Sequence, residues 1–201
     1  MDYGNTVGST SASLCNFFAE TEDAYILGIL CADSYWWSSS IGLSNTDKDL
    51  IERFRNFLLS KNFPEDRIRY NRDHIFVNSR PLLREFVAAK KSLEKLQGEE
   101  IITAYFAGRF DGDGSIDKKL RKYCRIVYGT KEEAEFDQKL LQKIGLQESS
   151  IYYYRTSSTF CLYIWRNAAE DFVQKLLPHS TKLQKLAFVP RRDLPRAYAK
   201  G

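Results

Sequence analysis

Two stretches of the chain, Tyr25 to Ser34 and Tyr105 to Ser115, are apolar along most of their length and carry a small residue at every fourth place. In the first these are Ala24, Gly28 and Ala32, and in the second Ala104, Gly108 and Gly112. Positions i, i+4 and i+8 share one face of a helix, so each stretch predicts a helix with a bare stripe along which another backbone can approach closely. Each stripe runs straight into an aspartate, Asp33 or Asp113, and an offset of 80 residues maps Ala24, Tyr25, Gly28 and Asp33 onto Ala104, Tyr105, Gly108 and Asp113. The chain therefore contains an internal repeat.

The pattern between these stretches repeats as well. Thr21, with Glu22 and Asp23 in the first turn, gives a helix start, and Tyr35 to Ser44 reads as a short hairpin rich in aromatic and β-branched residues. Asn45 or Thr46 is placed to cap an amphipathic helix from Asp47 whose inward face is Leu50, Ile51, Phe54, Phe57 and Leu58. Beyond the break at Pro64, Arg67 to Arg72 and His74 to Asn78 form two strands turning at Arg72 and Asp73, and Pro81 opens another helix that runs out towards Gly98. The second half follows the same order: a helix from Glu99, a longer hairpin over Ser115 to Thr130, and a helix from Lys131 to Ile144 stopped by Gly145. A strand pair follows over Ile151 to Arg155 and Thr159 to Trp165, then a helix from Ala168 to Leu177 and an apolar segment from Leu183 to Val189. The expected class is α+β, two pseudo-symmetric αββαββα repeats over 21–98 and 99–201 that share one core, behind a flexible lead-in over 1–20.

If the two stripes pack against each other about a two-fold axis, Asp33 and Asp113 finish side by side. Carboxylates that close repel unless a cation lies between them, and hard divalent ions such as Mg²⁺ take oxygen ligands of this kind. At these residues the sequence resembles the LAGLIDADG homing endonucleases, single-chain type. Phe106 to Gly114 keeps the family's alanine, glycine, both aspartates and final glycine; Ile26 to Ser34 keeps the glycine, the late alanine and the last acid, and departs at Cys31 and Ser34.

The resemblance implies an antiparallel β-saddle lying on double-stranded DNA, with the two motif helices at its centre. It further implies site-specific hydrolysis of both strands at a long target with Mg²⁺, Mn²⁺ being able to replace it. Asp33 and Asp113 would hold the ions together with the backbone carbonyls of Ala32 and Gly112, one acid serving each strand, with cleavage across the minor groove leaving short 3′ extensions. Asn45 and Thr130 become candidates for positioning water, and Lys118, Lys119 or Lys131 for the basic partner. Two other readings on the same scaffold are an intron-splicing maturase that binds RNA and a non-cleaving DNA-binding protein; the intact acid pair argues against the latter.

Charge enters here because a formal net charge of +4 is only mildly basic, so its clustering decides its meaning. Arg67, Arg69 and Arg72 in the first repeat, and Lys118, Lys119, Arg121, Lys122 and Arg125 in the second, fall on predicted strands and turns. Alternation puts Arg67 and Arg69 on one strand face, where arginines can reach base edges or phosphates. Trp36 and Trp37, Ser39, Tyr153 and Arg155 complete the candidate DNA contacts. Adjacent strand residues point to opposite faces, which places at least one of the two tryptophans in the core. The longer second hairpin predicts an asymmetric target with more contacts on that side.

Composition narrows the alternatives. Four cysteines without a CxxC pair and two solitary histidines argue against zinc. Asp111 to Ser115 looks like the start of a calcium loop but has Ile116 where the sharp turn needs glycine and Lys122 where the bidentate glutamate belongs. No apolar run is long enough to cross a bilayer, and the first twenty residues lack the pattern of a signal peptide. The expected protein is intracellular, cytoplasmic in a prokaryote with an organelle left open, and monomeric, since two repeats in one chain supply the pair that a single-repeat protein obtains by dimerising.

Overall fold

A computed structural model describes residues 20–117 and 123–187 of the 201-residue chain. Among these residues lie seven helices and eight strands in the order α1 (Thr21–Asp33), β1 (Ser34–Trp37), β2 (Ser40–Ser44), α2 (Lys48–Ser60), β3 (Arg69–Asn71), β4 (His74–Asn78) and α3 (Arg80–Lys90), then α4 (Glu99–Asp113), β5 (Gly114–Ile116), β6 (Tyr123–Tyr128), α5 (Lys131–Lys143), β7 (Ser149–Tyr154), β8 (Thr159–Trp165), α6 (Arg166–Leu176) and α7 (Thr181–Ala187). Each repeat is αββαββα, and α7 is an addition to the second. The lead-in over 1–19 lies outside the described residues, as do Val189 and Lys118, Lys119, Arg121 and Lys122.

The helices α1 and α4 carry apolar residues on every face because they are buried all round: every residue from Asp23 to Cys31 and from Ile102 to Asp111 is buried, the polar ones being Asp23, Thr103, Arg109 and Asp111. Their bare stripes meet. A β-carbon at Gly28 would fall inside the carbonyl oxygen of Tyr105 and 2.8 Å from the amide of Arg109; one at Gly108 would fall inside the carbonyl of Tyr25 and 2.8 Å from the amide of Ile29. The two clashes are mirror statements of one crossing, and they define the pseudo-two-fold axis.

Two four-stranded antiparallel sheets, ordered β1-β2-β4-β3 and β5-β6-β8-β7, extend from this pair. Because β1 begins at the residue after Asp33 and β5 at the residue after Asp113, the first edge strand of each sheet starts at the aspartates, and β3 and β7 form the opposite edges. One face of each sheet is core. Ile41, Leu43, Ile75 and Val77 pair across β2 and β4, as Cys124 and Ile126 do with Ile164 and Leu162 across β6 and β8, and all eight are buried. The amphipathic helices α2, α3, α5 and α6 close the core with Leu50, Phe54, Phe86, Leu140 and Phe172.

Element boundaries differ from the sequence expectation in three instructive places. Asp47, not Asn45 or Thr46, caps α2, accepting the amide of Asp49 at 3.0 Å. Asn45 is thereby free to point elsewhere. Arg67 is taken into a short 3-10 turn over Glu65–Arg67 after Pro64, so β3 starts at Arg69 and the expected Arg67/Arg69 face does not form. Arg80, with Ser79 as its cap accepting from Leu82, opens α3 one residue before Pro81, which sits where its missing N–H costs nothing.

Candidate metal and nucleic-acid site

The stripe-to-stripe crossing brings Asp33 and Asp113 together at the C-terminal ends of α1 and α4. A β-carbon at Gly112 would collide with that of Ala32 and stand 2.9 Å from Asp33 Oδ2, so the Asp33 carboxylate lies directly against the Gly112 peptide. Only glycine fits there. Last-turn carbonyls of a helix have no intrahelical partner and carry the negative end of its dipole. Two such ends and two carboxylates thus converge on one small region.

The surrounding groups treat the two acids differently. Asn45 Nδ2 donates to Asp33 Oδ2 at 2.8 Å, while Asn45 Oδ1 accepts the amide of Asp47 at 2.8 Å, which fixes the side-chain amide in place. Asp33 has its pKa raised by burial, an effect opposed by Asn45 and by the charges of Lys182 and Arg109. Among the described residues no side-chain amide donates to Asp113; its charged neighbour is Arg109, one helical turn back, at 3.9 Å. Burial pushes Asp113 up to about 6, opposed by Arg109 and reinforced by the charge of Asp33.

That shift gives a testable pH dependence. In the range between the ordinary carboxylate value and about 6 the folded chain binds more protons at Asp113 than the unfolded chain does, so stability falls as pH rises through the window. Asp113→Asn removes the penalty. With a third of its side chain still exposed, solvent screening reduces the effect to about 1 kcal/mol. In denaturant titrations without divalent metal, the variant is expected to exceed the parent at pH 8 and to match it at pH 3.5. Equal stabilities at both values would contradict the desolvation of Asp113.

Arg109 links this site to a buried network. Its guanidinium lies over the Tyr128 ring, 4.5 Å from the centroid, with Asp137 at 3.7 Å and Glu133 at 3.8 Å. Asp137 accepts from the hydroxyls of Tyr105 and Tyr128 at 3.0 and 2.8 Å. Register explains why Tyr128 lies there: Ser34 pairs with Leu43 and Gly114 with Ile126, so the counterpart of Asn45 is Tyr128. Thr130, expected to match Asn45, is an exposed cap of α5 that accepts the amide of Glu133 at 3.3 Å. Lys131, expected as a basic partner, is exposed and paired with Glu135 at 2.7 Å.

The basic group that the structure does bring to the acids was absent from the sequence expectation. Lys182, on α7, donates through Nζ to the carbonyls of Phe110, Gly112 and Gly114 at 3.0, 3.4 and 2.9 Å. Its pKa is lowered by burial, against the raising effect of Asp111, Asp33 and Asp113. Asp111 holds α7 in place: its carboxylate accepts from the Tyr25 hydroxyl at 2.7 Å, from the Ser180 hydroxyl, and from the amides of Thr181 and Lys182 at 2.7 and 3.2 Å. Lys185 ties the same helix to Asp47 and Asp49 beside Asn45, at 2.7 and 2.8 Å. The offset of 80 puts Cys31 where Asp111 stands in the second repeat; Cys31 lines a cavity of about 180 Å³ with Tyr105, Arg109 and Asp137. Cys31 thus stands in the first motif at the position where the second has the acid that clamps α7.

Among the described residues no three His, Cys, Asp or Glu side chains gather into a metal-binding group, and Cys31, Cys124 and Cys161 are free and buried. A divalent ion at this point would take its donors from Asp33, Asp113 and the carbonyls of Ala32 and Gly112. Two desolvated carboxylates and two helix-end carbonyls, all oxygen, fit such an ion.

The sheet faces opposite the core carry the other candidates. In the first sheet Tyr35, Trp37, Arg69 and Asn71 share that face with His74 and Phe76; Tyr35 stacks on His74 at 4.7 Å. Trp36 pairs with Ile41 and so belongs to the core side, yet it is 57% exposed and Trp37 is 75% exposed. Neither is core: both lie at the exposed end of the four-residue edge strand β1. In the second sheet Arg125, bonded to Ser115 Oγ at 2.9 Å, stands with Tyr123, Tyr163 and Trp165, the last two stacked at 5.1 Å. Tyr153 pairs with Phe160 on the side of Ile151 and Tyr128; Tyr152 and Tyr154, not Tyr153, occupy the open face. Ser39 and Arg72 lie in the hairpin turns, Arg72 with a positive φ of 54°, and Arg155 is exposed at the turn after β7.

No protein-family model matches the chain, and no curated protein does. Solved structures do. The homing endonuclease I-DmoI in complex with DNA and Ca is similar with a TM-score of 0.66 at 18% identity, covering 83% of this chain and 97% of that one; its complex with DNA and Mn gives 0.62 at 18%, covering 78% and 96%. Full-length DUF199/WhiA from Thermatoga maritima gives 0.57 at 17% identity, covering 84% of this chain and 59% of that one. The N-terminal LAGLIDADG domain of DUF199/WhiA gives 0.57 at 16%, covering 81% and 85%. The element order, the paired sheets and these similarities agree: the chain has the two-repeat LAGLIDADG fold of the single-chain type.

Proposed function

We propose that the protein is a site-specific endonuclease for double-stranded DNA that uses Mg²⁺, or Mn²⁺ in its place. The observation that carries this reading is the delivery of one acid from each repeat to a single point by the Gly28/Gly108 crossing. The similarity to I-DmoI bound to DNA with Mn or Ca supports the choice of substrate and of divalent ions. When bound, the ion supplies charge neutralisation at the phosphate and a bound water of lowered pKa. The protein groups have separable tasks. Asp33 and Asp113 provide the oxygen donors, Asn45 holds one carboxylate oxygen of Asp33 by its hydrogen bond, and the open sheet faces meet the duplex with Arg69 and Trp37 on one side and Arg125 on the other. Both acids come from one chain, so the site is complete in a monomer.

Cleavage of a randomised duplex library by the purified protein with Mg²⁺ tests the proposal and reveals the target together. Cutting at one long site is the expected result. Tight binding of structured RNA with no cutting under any metal would replace it by a splicing role. Footprinting of the recovered site should extend further on the second-repeat side, because the β5–β6 connection is longer than the two-residue β1–β2 turn at 38–39; equal flanks would contradict the asymmetry.

A further inference from the structure

The carbonyls at the end of α4 already have a cation on them. Lys182 Nζ sits on Phe110 O, Gly112 O and Gly114 O, and Gly112 is the residue against which the Asp33 carboxylate packs. Among the described residues the first repeat has no counterpart, since α7 follows only the second and Cys31 stands where the second repeat has the clamp Asp111. Of these oxygens Gly112 O is the one a divalent ion would share, and an ammonium bonded to it also repels a second cation placed beside it. Resting on the endonuclease reading, we infer that Lys182 is a resident cation that competes with divalent metal at the Gly112 carbonyl, where the Asp33 carboxylate packs, so that the two acids load metal unequally and the Asp113 side fills first. α7 is positioned to act as this plug because Asp111 grips its first amides and Lys185 anchors its last turn to Asp47 and Asp49.

Metal binding read directly, without cleavage, tests this. Mn²⁺ titrations of the full chain followed by electron paramagnetic resonance are compared for the parent, Lys182→Met, Lys182→Arg and Lys185→Met, with thermal melts confirming that each is folded. The parent is expected to show one tighter Asp113-dependent site. Lys182→Met should tighten or add a second site by roughly tenfold or more, and adding Asp33→Asn to that variant should abolish the gain. Lys182→Arg, which keeps a cation, should behave like the parent. Identical isotherms for parent and Lys182→Met would overturn the inference while leaving the endonuclease reading intact if an Asp113-dependent site persists. The same gain in Lys185→Met, or a gain that survives Asp33→Asn, would reduce the effect to general charge and also overturn it. Absence of any Mn²⁺ binding in every form would sink the inference and the metal-dependent reading together.

Discussion

Asp33→Asn and Asp113→Asn are each expected to lower double-strand cleavage by at least about a hundredfold without unfolding the protein, leaving at most nicking of one strand. The size follows from what the substitution removes. An amide keeps the shape of the carboxylate but not its charge, and charge neutralisation near a phosphate by an ion held on oxygen ligands is worth several kcal/mol of transition-state stabilisation. The fold should survive for a specific reason at each position. At 33, Asn45 Nδ2 donates to Oδ2 across 2.8 Å, and an asparagine there can still present a carbonyl oxygen to that donor. At 113, the carboxylate is already pushed up to about 6 by burial, so an uncharged amide is the more comfortable occupant. Conversion of supercoiled plasmid bearing the recovered site to nicked and linear forms, followed beside thermal melts, separates loss of chemistry from loss of structure. Full-rate linearisation by either variant would remove that aspartate from the reaction. Linearisation by both would remove the metal-assisted reading altogether.

The acids were legible in the sequence because everything that places them is local. A stripe of Ala24, Gly28 and Ala32 and its copy, Ala104, Gly108 and Gly112, is a property of helical periodicity, and the aspartate after each stripe inherits its position from the helix. Asn45 was legible as a residue near the start of α2, though its partner was not: capping is performed by Asp47, which frees the Asn45 side chain for Asp33. Thr130, like Asn45, lies between a strand and the next helix, whereas strand register makes Tyr128 the counterpart. Register depends on hydrogen bonds between strands, which periodicity does not show. The tryptophan pair shows the same limit from another side. Alternation correctly puts Trp36 and Trp37 on opposite faces, but whether a face is covered depends on what packs over it, and both side chains are exposed. Lys182 was illegible for the strongest reason: its site is made by residues about seventy positions earlier in the chain, and nothing in its own surroundings distinguishes it from other helical lysines.

Gly28→Val and Gly108→Val are expected to be the most damaging single substitutions outside the acids, each costing at least about 3 kcal/mol, and Gly28→Ala and Gly108→Ala should damage the protein too. The alanine variants decide the matter because two effects oppose each other there. Replacing glycine by alanine inside a helix gains about 1 kcal/mol of intrinsic preference. Against this, the new β-carbon at 28 would lie inside the carbonyl of Tyr105, and that at 108 inside the carbonyl of Tyr25. The obstructing atoms are backbone, so no rotamer change relieves the clash; α1 and α4 must move apart. Separation opens space along helices that are buried on every side, and cavities in such a core are costly. It also draws Asp33 away from Gly112, against which its carboxylate packs. Stability and chemistry should therefore fall together in these four variants, in contrast to Asp113→Asn, where they part. Chemical denaturation measures the first and Mn²⁺ binding the second. An alanine variant at 28 or 108 as stable as the parent would mean that the helices do not cross at these glycines, and the geometry that brings the two aspartates together would have to be sought elsewhere.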